Sequence, residues 1–217
     1  MALIHNRRAR RYVLRLRADG LARLTIPRGG SVAEARRFAE RNKVWLERQL
    51  RHFSMRPNRP TECLAGTEIL FRGELMRIET GVNGASGTAR FGSESVKVAN
   101  SAGDLRPAIE KYLRDMAVKE LPPRALEFAA LHQVSVRRII VRNQRTRWGS
   151  CSTRGVISLN WRLVQTPPFV RDYIILHELM HLRQMNHSAR FWREVGQVCP
   201  DYEVAKRWLK QNPGLLP

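Results

Sequence analysis

The chain has 217 residues, 43% hydrophobic and 27% charged, which suffices for a buried core and excludes a low-complexity or disordered polymer. No apolar run approaches 18 residues and no apolar leader follows the basic cluster at Arg7 to Arg11, so no membrane span is expected and a cytoplasmic location is. The net charge of +20 comes from thirty-three Arg and six Lys against nineteen acids; it divides evenly, +10 in residues 1–105 and +10 in 106–217, and such a field attracts polyanions.

In chain order, Tyr12 to Arg17 and Leu21 to Ile26 alternate around Ala18-Asp19-Gly20, which predicts a β-hairpin. Ser31 with Glu34 forms a capping box for a helix running to about Phe53, with Phe38, Trp45, Leu46 and Phe53 facing the core. A proline-bearing connector spans 56–61. Hairpins are expected around Arg72-Gly73 and across Gly81 to Gly92. Asp104 caps a helix that Pro122-Pro123 should bend or break before it resumes to His132. Val134 to Val141, Arg147 to Cys151 and Val156 to Leu159 read as strands, with a turn at Arg154-Gly155. The order predicts an α+β protein: a β-rich module with one long helix over 1–103, then a zincin-like helix–sheet–helix domain over 104–217.

The second domain carries the chemistry. Pro167 to Gln184 reads as one helix, with Thr166 as N-cap, and holds His177-Glu178-Leu179-Met180-His181. Positions i and i+4 lie one helical turn apart on one face, so both imidazoles can reach one zinc while Glu178 serves as general base toward a zinc-activated water. With six His and fourteen Glu, this pattern arises by chance in only ~0.01 of such chains. The flanking Ile174, Ile175, Leu176, Leu179, Met180 and Leu182 point all round the axis, so the helix is buried. Buried imidazoles and a carboxylate need partners, and a metal supplies one.

A third ligand is needed. His187 is ten residues beyond His177, too far along a continued helix, so the chain must turn after about Gln184, with Asn186 as the turning residue. Ser188 then caps a helix carrying Phe191, Trp192 and Val195. Glu194 and Glu203 are the alternative third ligands. The spacing matches a metzincin signature, but Gln184 stands where that motif has glycine. Tyr173, one turn before His177, could donate to a developing oxyanion, and Trp148, Asn160 and Arg147 are candidate substrate contacts. Trp161 could line the same cleft, with core packing as the alternative. Arg147 to Cys151 or Val156 to Asn160 could pair with an extended peptide as an edge strand. Cys63, Cys151 and Cys199 are odd in number and widely spaced, which argues against a disulfide framework; Cys151 is a small core residue or an extra ligand.

The stretch RTRWGSCSTRGVISLNWRLVQTPPFVRDYIILHELMHLRQMNHSARFW resembles the YgjP-like metallopeptidase family, distant relatives of the SprT-like and WLM zinc proteases. The resemblance extends to IPRGGS, the helix bearing Trp45 and the C-terminal PDYEVAKRWLK. It implies one zinc per chain on His177, His181 and His187, Glu178 as acid/base, and a metal-dependent hydrolase whose substrate the family name leaves open. Three readings follow. The first is a zinc metallopeptidase acting on protein or peptide. The second is hydrolysis of nucleotide phosphoanhydrides at the same metal. The third is a basic nucleic-acid-binding module with non-catalytic zinc, which three histidines and an open position disfavour.

Overall fold

The computed structural model describes all residues except 18–19, 55–61, 82–86 and 213–217. It divides into two compact units, Met1–Thr61 and Glu62–Pro217. The expected boundary at 103 falls inside the second unit. The physical reason is that Phe71, Phe91, Val96 and Val98 share a core with Ile109 and Leu113, so the strands before residue 103 have no core apart from the helix that follows them.

In the first unit, strands β1 (Ala2–His5), β2 (Val13–Leu16) and β3 (Ala22–Ile26) form a sheet of order β1-β3-β2, with β2 antiparallel and β1 parallel to β3. The predicted hairpin is present, with Leu14 opposite Leu24; β1 is an addition. The capping box at Ser31 also forms. Ser31 Oγ accepts from Glu34 N at 3.1 Å, and Ser31 N donates to the Glu34 carboxylate at 3.2 Å. Tyr12 adds its hydroxyl to the same carboxylate at 2.6 Å. The single long helix is instead two, α1 (Val32–Arg41) and α2 (Lys43–Ser54). Asn42 separates them, its side-chain amide donating to Phe38 O at 2.8 Å, the kind of local competition that ends a helix. Phe38 packs on Leu24, Ile26 and Ala35, but Trp45 is 40% exposed. The side chain of Phe53 and the 56–61 connector lie outside the described residues.

The second unit opens with the hairpin β4 (Glu68–Phe71) and β5 (Glu74–Arg77). Its two-residue turn is at Arg72 and Gly73, both at positive φ, and a Cβ on Gly73 would strike Pro167 at 2.4 Å. Strands β6 (Glu79–Thr80), β7 (Gly87–Phe91) and β8 (Glu94–Val98) form an antiparallel sheet. Helix α3 (Arg106–Leu131) follows, with the Asp104 carboxylate accepting from the N–H of Arg106 and of Cys63. It runs unbroken through Pro122-Pro123. The carbonyls deprived of partners belong to Val118 and Lys119, both exposed, so water can satisfy them. Ile109, Leu113, Ala117, Leu121 and Ala125 make its buried stripe at four-residue spacing.

Strands β9 (Arg138–Arg142), β10 (Gly149–Cys151) and β11 (Val156–Asn160) follow, with β11 in the middle, parallel to β9 and antiparallel to β10. Gly155 takes positive φ at the predicted turn. After a 3-10 turn at Trp161–Gln165 come α4 (Pro168–Met180), α5 (Ala189–Val198) and α6 (Tyr202–Gln211). Thr166 does not cap α4. Its hydroxyl donates back to Leu163 O at 2.8 Å, and Pro167 occupies the N-cap position. Among the described residues no helix is long and apolar enough to cross a membrane.

Candidate metal centre

Helix α4 is buried nearly all round, as its apolar sequence requires: Val170, Ile175, Leu179 and Met180 are fully enclosed, and Ile174 and Leu176 nearly so. It ends at Met180, one turn earlier than expected. Leu182 N donates to Leu179 O, and both Arg183 N and Gln184 N donate to Met180 O, so the chain turns tightly at once. Asn186 does not adopt the left-handed conformation expected of it, because this tightened last turn already redirects the backbone. Ser188 then caps α5 as predicted, its hydroxyl accepting from Phe191 N at 3.4 Å.

This return brings the third histidine to the other two. Among the described residues, His177, His181 and His187 form the one group of potential metal ligands, with ring nitrogens all within 4.8 Å of one another. Nε2 of His187 lies 3.1 Å from Nε2 of His177. Two nitrogens bound at about 2.05 Å to a tetrahedral zinc would stand about 3.3 Å apart, so the spacing fits. His181 Nδ1 sits 2.9 Å from Gln184 O, which fixes Nδ1 as the donor and leaves Nε2 with its lone pair for a metal. Burial pushes His177 down to about 3, with His181, His187 and Lys206 adding to the effect; burial also lowers His181. Neutral imidazoles with free lone pairs are the donors a divalent metal requires.

Glu194 and Glu203, the alternative third ligands, lie outside the histidine cluster. Glu194 is held by Arg183 at 2.8 Å and Glu203 by Lys206 at 2.7 Å, and neither reaches the histidines. Aromatic rings hold the cluster. The fully buried Phe191 stacks on His181 at 4.4 Å and meets His177 edge-on at 4.9 Å, while Trp192 stacks on His187. The N-cap at Ser188 was the available signal, because it fixes which face of α5 turns toward the site.

Glu178 is 6% exposed and has no place among the ligand nitrogens. Burial raises its carboxyl to about 8, with the Arg147 guanidinium pulling it back. Gly149 on β10 makes room for it: a Cβ there would lie 2.6 Å from both Cγ and Oε1 of Glu178. The need for glycine in RWGSC is thus steric, and nothing in the spacing of the sequence announces it.

The histidines, Glu178, Tyr173, Arg147, Trp148 and β10 line one cleft of about 460 Å³. Tyr173 is buried and meets the His177 ring edge-on at 5.8 Å, and burial raises its phenol. Arg147 is exposed at the rim. Asn160 does not face the cleft. It is completely buried, its amide donating to Gln144 O and Arg147 O and its carbonyl accepting from Arg162 N, so it braces the segment that leads into β10. Trp161 is likewise core, its indole N–H donating to Asn143. Cys151 lines the cleft outside the ligand cluster, its thiol raised to about 11 by burial and by Glu178. Of the two candidate strands, β10 is the one with a free edge among the described residues, because β11 is paired on both sides.

Comparison with known proteins identifies the family. The crystal structure of the metallopeptidase zymogen of Pyrococcus abyssi abylysin is similar over 43% of this chain and 95% of that one, at 22% identity and a TM-score of 0.39. No curated protein matches the chain. The model of the YgjP-like family, metallopeptidase domain, matches residues 10–212. The chain therefore belongs to the YgjP-like metallopeptidase family and is a metal-dependent hydrolase.

Proposed function

We propose that the protein is a zinc-dependent peptidase that cleaves extended or unfolded protein segments. The observation that carries this reading is the convergence of three imidazoles, with a non-ligating Glu178 and the free edge of β10 lining the same cleft. Zinc held by His177, His181 and His187 would polarise a water molecule and a scissile carbonyl. Three protein ligands leave the fourth position open for that chemistry, whereas structural zinc sites are usually closed by four.

The protein's own groups have distinct tasks. Glu178 accepts the proton of the attacking water and returns it to the leaving amine. Burial makes its carboxylate basic, and a dication in the neighbouring ligand set would favour its ionised form. Strand β10 offers main-chain N–H and C=O groups to a substrate strand, which suits peptides of any sequence. Tyr173, still protonated far above neutrality, is a hydrogen-bond donor beside His177. Arg147 and Trp148 contact the substrate at the rim.

Denatured casein and a panel of nucleoside triphosphates, each incubated with wild type and Glu178→Gln, test the reading. Chelator-sensitive casein cleavage that disappears in the variant is expected. Phosphate release that depends on Glu178, with casein left intact, would replace the peptidase by a nucleotide hydrolase at the same metal.

A further inference from the structure

The charge of the chain is not distributed as its two numerical halves suggest. Divided at the structural boundary, residues 1–61 hold sixteen Arg and Lys against four acids, a net +12, while the 156 residues of the second unit hold only +8. Two of the four acids of the first unit are engaged. Glu34 is bound by Tyr12 and Ser31, and Glu40 lies 3.8 Å from Lys43.

The sheet concentrates this charge. Its inner face carries Leu14, Leu24 and Ile26 against α1, so the alternating positions Arg15 and Arg23 lie on the opposite face. They stand directly opposite each other in the β2–β3 register. Like charges so placed repel, and neither residue has an acidic partner among the described residues. The buried Nε of Arg23 has no hydrogen-bond acceptor. A phosphate bound at the exposed ends of the two guanidinium groups would relieve that repulsion.

The second observation is aromatic. Trp45 on α2 is 40% exposed and belongs to neither core cluster, and Arg48, three residues on, shares its helical face. An exposed ring beside an arginine is a stacking platform for an unpaired base, with a cation for its phosphate. Val44 is exposed beside it, but a net +12 favours a polyanion over an apolar partner.

We propose that residues 1–61 form a binding module for single-stranded nucleic acid, with Arg15 and Arg23 contacting phosphates and Trp45 stacking on a base. Recognition is independent of sequence, because the groups offered are cations and a ring face rather than an array of base-edge donors.

The test titrates the full-length protein with a fluorescent oligo-dT 20-mer, a blunt 20-base-pair duplex and anionic phospholipid vesicles. With about five phosphates neutralised, affinity for the 20-mer should fall roughly 100-fold between 50 and 200 mM salt. Arg15→Glu with Arg23→Glu should weaken binding at least tenfold and flatten the salt dependence, whereas Arg90→Glu with Lys97→Glu, the same charge change in the second unit, should matter little. Trp45→Ala should cost about 5- to 150-fold, with Trp45→Phe restoring most of it. All variants should keep the wild-type circular dichroism and casein cleavage, so this result is separable from that of the peptidase test. Four outcomes would overturn the proposal: no oligonucleotide binding at 20 mM salt, equal losses from both double reversals, duplex preferred with Trp45→Ala silent, or binding to vesicles alone.

Discussion

Replacing Glu178 with Gln should slow turnover by several orders of magnitude and at the same time make the metal-free protein more stable in alkaline solution. The first effect follows from the loss of a proton acceptor. The second follows from burial. A carboxyl that ionises near 4.5 when unfolded and at about 8 in the fold favours the folded state in its protonated form. It penalises the fold increasingly as pH climbs between those values, and fully above 8. At 1.36 kcal/mol per pH unit the ceiling is about 5 kcal/mol. A buried Gln amide brings its own cost of about 1–3 kcal/mol, so a net gain of about 2–4 kcal/mol remains. For a unit of this size that corresponds to roughly 5–15 °C in melting temperature. The assay is thermal unfolding of chelated wild type and variant from pH 4.5 to 9, with zinc content and casein cleavage measured in parallel. Near pH 4.5 the variant should melt below wild type by the cost of the amide, and the curves should cross and then separate in its favour toward pH 9. A gain that does not grow with pH would show that Glu178 is not a strained buried acid, and zinc lost in step with activity would make it a ligand.

Three further substitutions probe the parts around it. His187→Ala should abolish stoichiometric zinc binding yet leave the melting temperature of the chelated protein within about 1–2 °C of wild type, because His187 is exposed; full zinc occupancy would remove it from the ligand set. Gly149→Ala should retain zinc, cost about 1–3 kcal/mol in unfolding free energy by denaturant titration, and slow casein cleavage at least tenfold as Glu178 is displaced. Asn160→Ala strands two carbonyls and one N–H and should cost about 2–4 kcal/mol by the same titration, whereas an effect confined to KM would return Asn160 to the substrate contacts.

What the sequence reveals depends on how local the determining physics is. Helical periodicity fixes His177 and His181 on one face, and the hairpin at Arg72-Gly73 and the cap at Ser188 are equally local, so these were legible. The domain boundary was not, because whether Phe91 and Val96 own a core depends on what packs on them from α3. Trp45 read as core because an aromatic at helical spacing normally is, and only the break at Asn42 and the resulting exposure overturn that. The same holds for the ends of α4: Thr166 can cap forward or bond backward with one hydroxyl, and the sequence does not choose. Asn160 and Gly149 owe their importance to contacts across the fold, with the Gln144–Arg147 segment and with Glu178, which no local pattern encodes.

X-ray absorption at the zinc edge, on protein loaded with one equivalent of metal, examines the proposed centre most directly. Three imidazole nitrogens and one light oxygen scatterer at about 2.0–2.1 Å are expected, with no sulfur. A scatterer at about 2.3 Å would bring Cys151 into the ligand set, and a shell of fewer than three imidazoles would contradict the His177, His181 and His187 site.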